Sequence, residues 1–290
     1  MHNYVIITDS TCDLSPSLVE KMQVEVIPME FTIEDKSYRN YPDNRDLDPA
    51  DFYTKLRAGG MATTAQVTAL TYTEVAKPFL NAGQAVLFLI FSSGLSGSFN
   101  SSRLAAEELR HNYPERTVRT VDSLAASMGE GLLVYHAAMR RLAGDSLNEV
   151  ADWVEQNRNR LCHWFTVDDL HFLHRGGRVS GAAAVMGTML GIKPVLHVDD
   201  EGHLIPMEKV RGRRQSLDAL VQHLESTIAE GENETIFVSH GDCAEDADYV
   251  AEKLRGRFGI VHIETNFIGP VIGSHSGPGT VALFWLGSHK

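Results

Sequence analysis

Cysteine is scarce in this sequence, and the three cysteines form no recognisable set. Cys12, Cys162 and Cys243 are scattered and include no Cys-x-x-Cys pair, so a reducing compartment fits better than a disulfide framework. Long hydrophobic runs are also missing, because the longest one, residues 85–91, is far too short to cross a bilayer. The amino terminus has no basic segment followed by a long apolar stretch. We therefore expect a cytoplasmic protein.

Motifs of two common enzyme classes are absent as well. No Gly-Lys-Ser or Gly-Lys-Thr occurs, which argues against a Walker phosphate loop. No Gly-x-Ser-x-Gly elbow is centred on a suitable serine. His171 and His174 are spaced i, i+3 on a predicted helix and are expected to be a partly exposed structural pair. We expect no metal, no cofactor and no unaided reaction with ATP.

Positive charge is in deficit, with a net charge of −12 and an isoelectric point near 5.5. This balance argues against nucleic acid as a partner and allows at most transient contact with an anionic membrane, although solubility alone would also explain it. The basic residues gather in two clusters, which suit an acidic partner or ATP phosphates, or are simply solvated surface. The clusters contain Arg175, Arg178, Lys209, Arg211, Arg213 and Arg214.

Strand patterns alternate with helix patterns along the chain, which predicts an α/β fold rich in parallel strands. The strand patterns cover residues 4–8, 24–31, 85–91, 117–121, 163–167, 195–198, 203–209, 235–239, 260–265 and 281–286. One helix is predicted to begin at residue 15, and others cover 43–56, 99–111, 128–142, 147–161 and 217–228. A polar loop is predicted at 57–71, and a basic glycine-rich turn at 175–181 is followed by a helix up to about residue 190. The pattern restarts near residue 163. We therefore predict an N-terminal α/β domain of residues 1–162 and a C-terminal α/β domain of residues 163–290.

A loop of serine and glycine follows the strongest strand pattern. Residues 92–98 read Ser-Ser-Gly-Leu-Ser-Gly-Ser, and a helix is predicted to begin near Phe99. Ligands bind beyond the carboxyl ends of strands in α/β sheets, where helix N-termini offer free N–H groups and a positive dipole end. The alternative is a plain turn in which Ser98 caps the helix. The abundance of hydroxyl groups favours a site for a carboxylate or a phosphate.

Three other segments carry candidate polar groups. Residues 9–13, Asp-Ser-Thr-Cys-Asp, follow the first strand and either orient a ligand or cap a helix. Residues 62–68 are rich in hydroxyl groups and are expected to form a surface loop. Residues 268–279 place His275 among glycines and prolines, where a histidine could donate to an anion or act as a base.

These segments together resemble the DegV family of fatty-acid-binding proteins, over nearly the whole chain. Residues 9–14 resemble its opening Asp-Ser-Thr signature, and residues 92–99 are similar to its Ser-Ser-x-Leu-Ser-Gly-Thr-Tyr loop. Further motifs occur in the expected order, at residues 121–123, 177–180, 192–196, 208–211 and 272–279. The resemblance implies two α/β domains with a fatty acid between them and its carboxylate held by hydroxyl groups.

The resemblance also implies roles for individual residues. The carboxylate would be bound by Thr64, Ser93, Ser96 and His275. Support for these loops would come from Thr63, Ser92, Gly94, Gly273 and Ser274. The family's better-known members resemble lipid-presenting subunits of a separate kinase, which phosphorylates the bound fatty acid to an acyl phosphate, and Arg178 and Arg211 match arginines that dock the kinase. The chain itself would then not be an enzyme, and residues 182–190 are either part of the acyl slot or plain core.

The sequence departs from the family pattern at one place and leaves other functions open. Ala65 and Val67 replace a serine and a proline of the family's Thr-Ser-Gln-Pro-Ser, which puts the local loop geometry in doubt and makes Thr63 an alternative to Thr64. A stand-alone hydrolase of an acyl ester or phosphate that uses His275 with a loop serine remains an alternative. So does a carrier of another amphipathic acid, such as a retinoid or an isoprenoid acid.

Overall fold

The computed structural model describes residues 3–179, 191–228 and 235–290. Its strands are β1 (Tyr4–Asp9), β2 (Glu25–Ile27), β3 (Met29–Ile33), β4 (Lys36–Asn40), β5 (Ala62–Thr64), β6 (Ala85–Ile90), β7 (Val118–Asp122), β8 (Leu161–Thr166), β9 (Ile192–Val198), β10 (Leu204–Arg211), β11 (Thr235–His240), β12 (His262–Phe267) and β13 (Val281–Leu286). Its helices are α1 (Pro16–Met22), α2 (Pro49–Arg57), α3 (Ala69–Asn81), α4 (Ser98–Asn112), α5 (Met128–Ala143), α6 (Leu147–Asn157), α7 (His171–Gly176), α8 (Arg213–Thr227), α9 (Ala244–Phe258) and α10 (Pro270–Ser276). Residues 180–190, where a further helix and a piece of the acyl slot were predicted, lie outside the described residues.

The first half of the chain is built on a parallel sheet with the order β2-β1-β6-β7. Strands β1 and β6 are almost entirely buried, as expected when helices cover both faces of a parallel sheet. Helices α3, α4, α5 and α6 pack against this sheet. The carboxyl ends of β1 and β6 lead directly into the two polar segments at residues 9–13 and 92–98.

The second half is built on a sheet with the order β10-β9-β8-β13-β11-β12, in which only β11 and β12 pair in parallel. Side chains of its central strand β13 alternate between two cores. Val281, Leu283 and Trp285 pack with α8 and α9, whereas Ala282 and Phe284 join the core of the first half. The two halves therefore share one face of this sheet.

Helix α5 joins the two halves, because it packs against β1 as well as β8, β11 and β13. A Cβ atom on Gly129 would lie 2.8 Å from Cδ1 of Phe284, so the helix approaches β13 more closely than a larger residue would allow. The prediction of two α/β domains is confirmed at the level of architecture, and parallel pairing dominates only the first sheet. The predicted boundary between residues 162 and 163 lies within β8.

Residues 24–31 form two strands, so the prediction of a single strand there is wrong. Pro28 separates β2 from β3, which belong to different sheets, since proline has no N–H group for a sheet ladder. Strand β3 is central in a small antiparallel sheet, β4-β3-β5, that places Thr64 opposite Phe31.

Two further boundaries predicted from the sequence are wrong. The helix expected over 43–56 begins only at Pro49, because the Asp48 side chain accepts a hydrogen bond of 2.8 Å from the Ala50 N–H and so caps it there. Residues 57–71 are not one loop, since they contain β5 and the start of α3, which Thr68 caps.

Two glycine-rich segments that were predicted as a turn and a loop contain helical residues in the structure. The basic turn predicted from residue 175 begins inside α7, and Gly177 ends that helix in the left-handed region at φ 67°. The loop predicted at 268–279 contains α10, which Pro270 opens. In the described residues, no helix combines the length and apolar character that a membrane span requires.

Candidate functional site

A cavity of about 460 Å³ lies between the two halves of the molecule. Its size falls within the range of small-molecule sites, and most of the residues that line it are apolar. Apolar lining residues come from both halves and include Met29, Phe91, Leu95, Phe165, Leu173, Leu204, Val271 and Ala282. Three of the predicted carboxylate ligands also line it, namely Thr64, Ser96 and His275.

Thr64 and His275 are in direct contact across the two halves. Oγ1 of Thr64 lies 2.9 Å from Nε2 of His275, at hydrogen-bond distance. Strand β5 presents Thr64, and the last turn of α10 presents His275. Gly176 lets α7 approach this ring closely, because a Cβ atom there would lie only 2.4 Å from Nδ1 of His275.

The imidazole of His275 is neutral at physiological pH. Burial lowers its pKa from 6.5 to about 4, and the positive charges of Arg178 and Arg175 add to the effect. Nδ1 of His275 is buried and has no hydrogen-bond partner. A neutral imidazole has one donor and one acceptor nitrogen, so Nε2–H can donate to Oγ1 of Thr64 and leave the hydroxyl proton of Thr64 for an anion.

The serine loop divides into residues that face the cavity and residues that hold the loop. Ser96 lines the cavity, and its Oγ lies 3.0 Å from Oγ of Ser98. Ser98 is the first residue of α4 and not its cap, because Gly97 occupies the cap position without a side-chain bond. Oγ of Ser98 accepts a hydrogen bond of 3.2 Å from the Val67 N–H, which fixes the loop against the segment after β5.

Ser92 and Gly94 contact the turn between β9 and β10. Oγ of Ser92 donates a hydrogen bond of 2.9 Å to the Gly202 carbonyl oxygen. A Cβ atom on Gly94 would lie 2.9 Å from the carbonyl oxygen of Glu201, so a glycine is needed there. Ser93 is exposed and is not among the described lining residues, and its N–H donates to Oδ1 of Asp122 at 3.1 Å.

The other predicted support residues also lie away from the cavity lining that the structure describes. Thr63 is exposed on β5, one residue from Thr64, so its side chain points to the opposite face of the strand. A Cβ atom on Gly273 would lie 2.5 Å from Oη of Tyr53, and this close approach packs α10 against α2. Oγ of Ser274 is buried and donates to the Pro270 carbonyl oxygen at 2.6 Å.

The two arginines predicted to dock a partner lie in different settings. Arg178 is exposed and also lines the cavity, and its Nε donates to the Leu95 carbonyl oxygen at 3.4 Å. Arg178 also bonds to the Gly176 carbonyl oxygen. Arg211 is exposed at the end of β10 and is not among the described lining residues. The guanidinium of Arg178 therefore brings positive charge to the end of the cavity that holds His275.

The Asp-Ser-Thr segment at residues 9–13 bonds to the residues that precede α5 and α10. Oδ2 of Asp13 accepts a hydrogen bond of 2.6 Å from Oγ of Ser127, and its Oδ1 accepts one of 2.9 Å from the N–H of Gly269, the residue before α10. Burial raises the pKa of this carboxyl group to about 7, against the opposing effect of these bonds. Asp13 thus connects the start of α5 to the helix that carries His275.

Sequence reasoning missed several polar groups that line the cavity. They are Gln66, Ser127, His163, Ser276 and Thr280, together with Arg178, which was assigned to docking alone. Ser127 has an unusual backbone with φ at 53°, and no sequence pattern marks His163, which lies among mostly apolar residues of the fully buried strand β8. At the departure from the family pattern, Ala65 lines the cavity and Val67 is buried in the core.

Comparisons with known proteins agree with this architecture. A family model described as "Uncharacterised protein, DegV family" matches residues 3–288. A DegV domain-containing protein of Clostridium perfringens is 44% identical over 100% of this chain and 99% of its own length. A DegV family protein from Thermus thermophilus, whose structure is described by its fatty acid binding, has 31% identity and a TM-score of 0.87 over 97% of this chain and 98% of its own. A protein of Thermotoga maritima described as revealing fatty acid binding function has 28% identity and a TM-score of 0.83 over 98% of this chain and 99% of its own. The chain belongs to the DegV family.

Proposed function

We propose that this chain binds a long-chain fatty acid in the cavity and presents its carboxylate to a partner kinase for phosphorylation to an acyl phosphate. The observation that carries the proposal is the division of one cavity into an apolar body and a polar end, where Thr64, Ser96 and His275 meet Arg178. Fatty acid binding by the structural neighbours from Thermus thermophilus and Thermotoga maritima supports it.

The polar end suits a carboxylate. The Ser96 hydroxyl can donate one hydrogen bond to the carboxylate, and Arg178 supplies a charge of opposite sign. Thr64 and His275 act as a pair, because Nε2–H of the neutral imidazole donates to Oγ1 of Thr64 and leaves the Thr64 hydroxyl proton for the carboxylate. The family resemblance makes Ser93 a further proposed ligand, with a much smaller contribution than Ser96 because its side chain is exposed. Each buried methylene of the tail contributes about 0.8 kcal/mol, so the tail supplies most of the affinity. The polar end fixes the position of the fatty acid along the cavity.

The site supports presentation better than independent catalysis. A histidine with a pKa of about 4 is a weak base, and general bases work best when their pKa lies near the operating pH. The exposed side chain of Arg178 can contact both the ligand and an incoming protein, and Arg211 offers a second exposed cation. We propose that both arginines dock the kinase, and that the chain works in the cytoplasm without a cofactor.

Mass spectrometry of the purified protein, before and after exchange with palmitic acid, tests ligand binding directly. We expect a long-chain fatty acid to be bound and exchanged, and we expect the alcohol of equal chain length to bind at least about ten-fold more weakly because it lacks the carboxylate. Absence of any bound or exchangeable acid would refute the proposal. Equal affinity for acid and alcohol would refute the assignment of the polar end.

A turnover assay separates presentation from catalysis. The isolated chain is expected to leave acyl esters and acyl phosphates intact, and to yield acyl phosphate only when a fatty acid kinase and ATP are added. Hydrolysis by the chain alone that disappears in His275→Ala, with folding intact by circular dichroism, would favour the hydrolase instead.

A further inference from the structure

An unpaired histidine lines the cavity away from the carboxylate end. His163 is only 4% exposed and lines the cavity from β8. Its ring is near two phenylalanines, with centroid distances of 5.5 Å to Phe165 along the same strand and 4.6 Å to Phe284 on the neighbouring strand β13. An imidazole in such surroundings contacts the part of a ligand that is otherwise apolar.

The topology places His163 away from the carboxylate end of the cavity. Strand β8 runs from Leu161 towards α7, and Gly176 of α7 adjoins His275. His163 and Phe165 both line the cavity from β8, and two residues of a strand span about 7 Å. His163 is the more distant of the two from α7, so it lies beside the acyl chain and not beside the carboxylate.

The hydrogen-bonding capacity of this ring is not used within the protein. Nδ1 of His163 is enclosed without a hydrogen-bond partner and packs against α5, where a Cβ atom on Gly129 would lie 3.5 Å away. Nε2 is not enclosed and forms no hydrogen bond within the described residues, so it is the ring nitrogen that a ligand in the cavity can reach. Burial lowers the pKa of this imidazole well below its usual value, so the ring is neutral and has one donor and one acceptor nitrogen.

Other polar side chains of the cavity differ from His163. Oγ of Ser127 donates to Asp13 at 2.6 Å, and Oγ1 of Thr280 donates to the carbonyl oxygens of Ser276, the last residue of α10, and of Gly277, which follows it. Oγ of Ser276 is also buried without a partner, but it follows His275 directly and therefore belongs to the carboxylate end. Among the described residues, His163 therefore brings Nε2, a ring nitrogen without a hydrogen-bond partner, to the acyl part of the cavity.

We propose that the natural ligand is a fatty acid with a hydroxyl group on its chain, and that His163 recognises this hydroxyl. A hydroxyl both donates and accepts, so it matches either tautomer of the neutral imidazole. The inference rests on the proposed function, because it requires an acyl chain in the cavity. It adds a specificity-determining residue to that site.

Binding of stearic acid and of a series of hydroxystearic acids, with the hydroxyl at successive positions, tests this inference on the delipidated full-length chain. One hydroxylated isomer is expected to bind at least as tightly as stearic acid, while isomers with the hydroxyl elsewhere bind about ten-fold or more weakly because that group is desolvated without a partner. Stearic acid binding more tightly than every isomer would overturn the inference and leave the proposed function intact. No binding of any acid would overturn both.

Substitutions of His163 identify the recognising group. His163→Phe fits between the neighbouring rings and is expected to keep stearic acid binding while the preferred isomer weakens about five-fold or more. His163→Gln retains a donor and an acceptor and should keep part of the preference, and it serves if the phenylalanine variant fails to fold. Phe165→Leu on the same face of β8 is the control, since it should weaken both acids equally. A preference that survives in both His163 variants unchanged would overturn the assignment.

Discussion

The Thr64–His275 contact offers the sharpest test of the carboxylate site. Thr64→Val removes one hydroxyl and keeps a β-branched side chain that suits strand β5. The change deletes a donor to the carboxylate and the partner that lies 2.9 Å from Nε2 of His275. A lost hydrogen bond to a charged group costs about 1.5–3 kcal/mol, which corresponds to a fatty acid dissociation constant raised roughly 10- to 150-fold. Thr64 is only half-buried, so we expect little change in the free energy of unfolding.

Thr63→Val is a matched control from the adjacent position. It makes the same chemical change on the same strand, but Thr63 is exposed and faces away from the cavity. Displacement of a fluorescent fatty acid by palmitic acid measures both variants, with thermal unfolding as a check on the fold. Equal affinities of Thr64→Val and wild type, or an equal loss in both variants, would refute the location of the carboxylate at Thr64.

Three more substitutions test the site and its surroundings. Ser96→Ala is expected to weaken fatty acid binding by about 1–3 kcal/mol, whereas Ser93→Ala should change it by less than about 0.5 kcal/mol, and calorimetric titration that ranks them in the opposite order would contradict the described lining. His275 has a folded-state pKa of about 4, below the unfolded value of 6.5, so its contribution to stability is full above pH 6.5 and is lost as pH falls towards 4. Urea unfolding should therefore show wild type losing about 3 kcal/mol more than His275→Gln between pH 7 and pH 4, and parallel losses would disprove the depressed pKa. Gly176→Ala should displace His275 and weaken binding about ten-fold, whereas Gly256→Ala, where a Cβ meets no atom within 4 Å, should leave binding unchanged.

Elements with strong local signals were predictable from the sequence. Strand β6 was evident because a parallel strand covered on both faces is continuously apolar. The hairpin of β9 and β10 was evident from its turn at residues 199–202, and the paired register confirms it. Strand β13 was predicted for the same reason as β6, since both of its faces are buried.

Elements that depend on tertiary contacts were missed. Strand β4 is largely exposed and polar, so nothing in its composition distinguishes it from a loop before it pairs with β3. Helix α3 has Pro78 inside it, which disfavours a helix locally. Helix α10 is rich in glycine, and its formation follows from packing against α2 and α7 more than from its propensity.

The polar residues at the His275 end of the cavity were predictable in part for a similar reason. His275 and Ser96 belong to distinctive segments, and Thr64 follows from the family resemblance, so the sequence could nominate them one by one. It could not separate Ser93 from Ser96, because the exposed or cavity-facing position of each depends on how the loop folds against Asp122 and Ser98. His163 carries no local signal, since one histidine in a mostly apolar strand is more often a buried structural residue.

The placement of one cavity between two halves that share a sheet has a kinetic consequence. A fatty acid bound there would touch both halves at once, so its release has to break contacts with both of them. We expect slow exchange of the bound lipid for this reason. Ligand at 100 times its dissociation constant also adds about 2.7 kcal/mol to the free energy of unfolding, so preparations with different lipid content should melt at different temperatures.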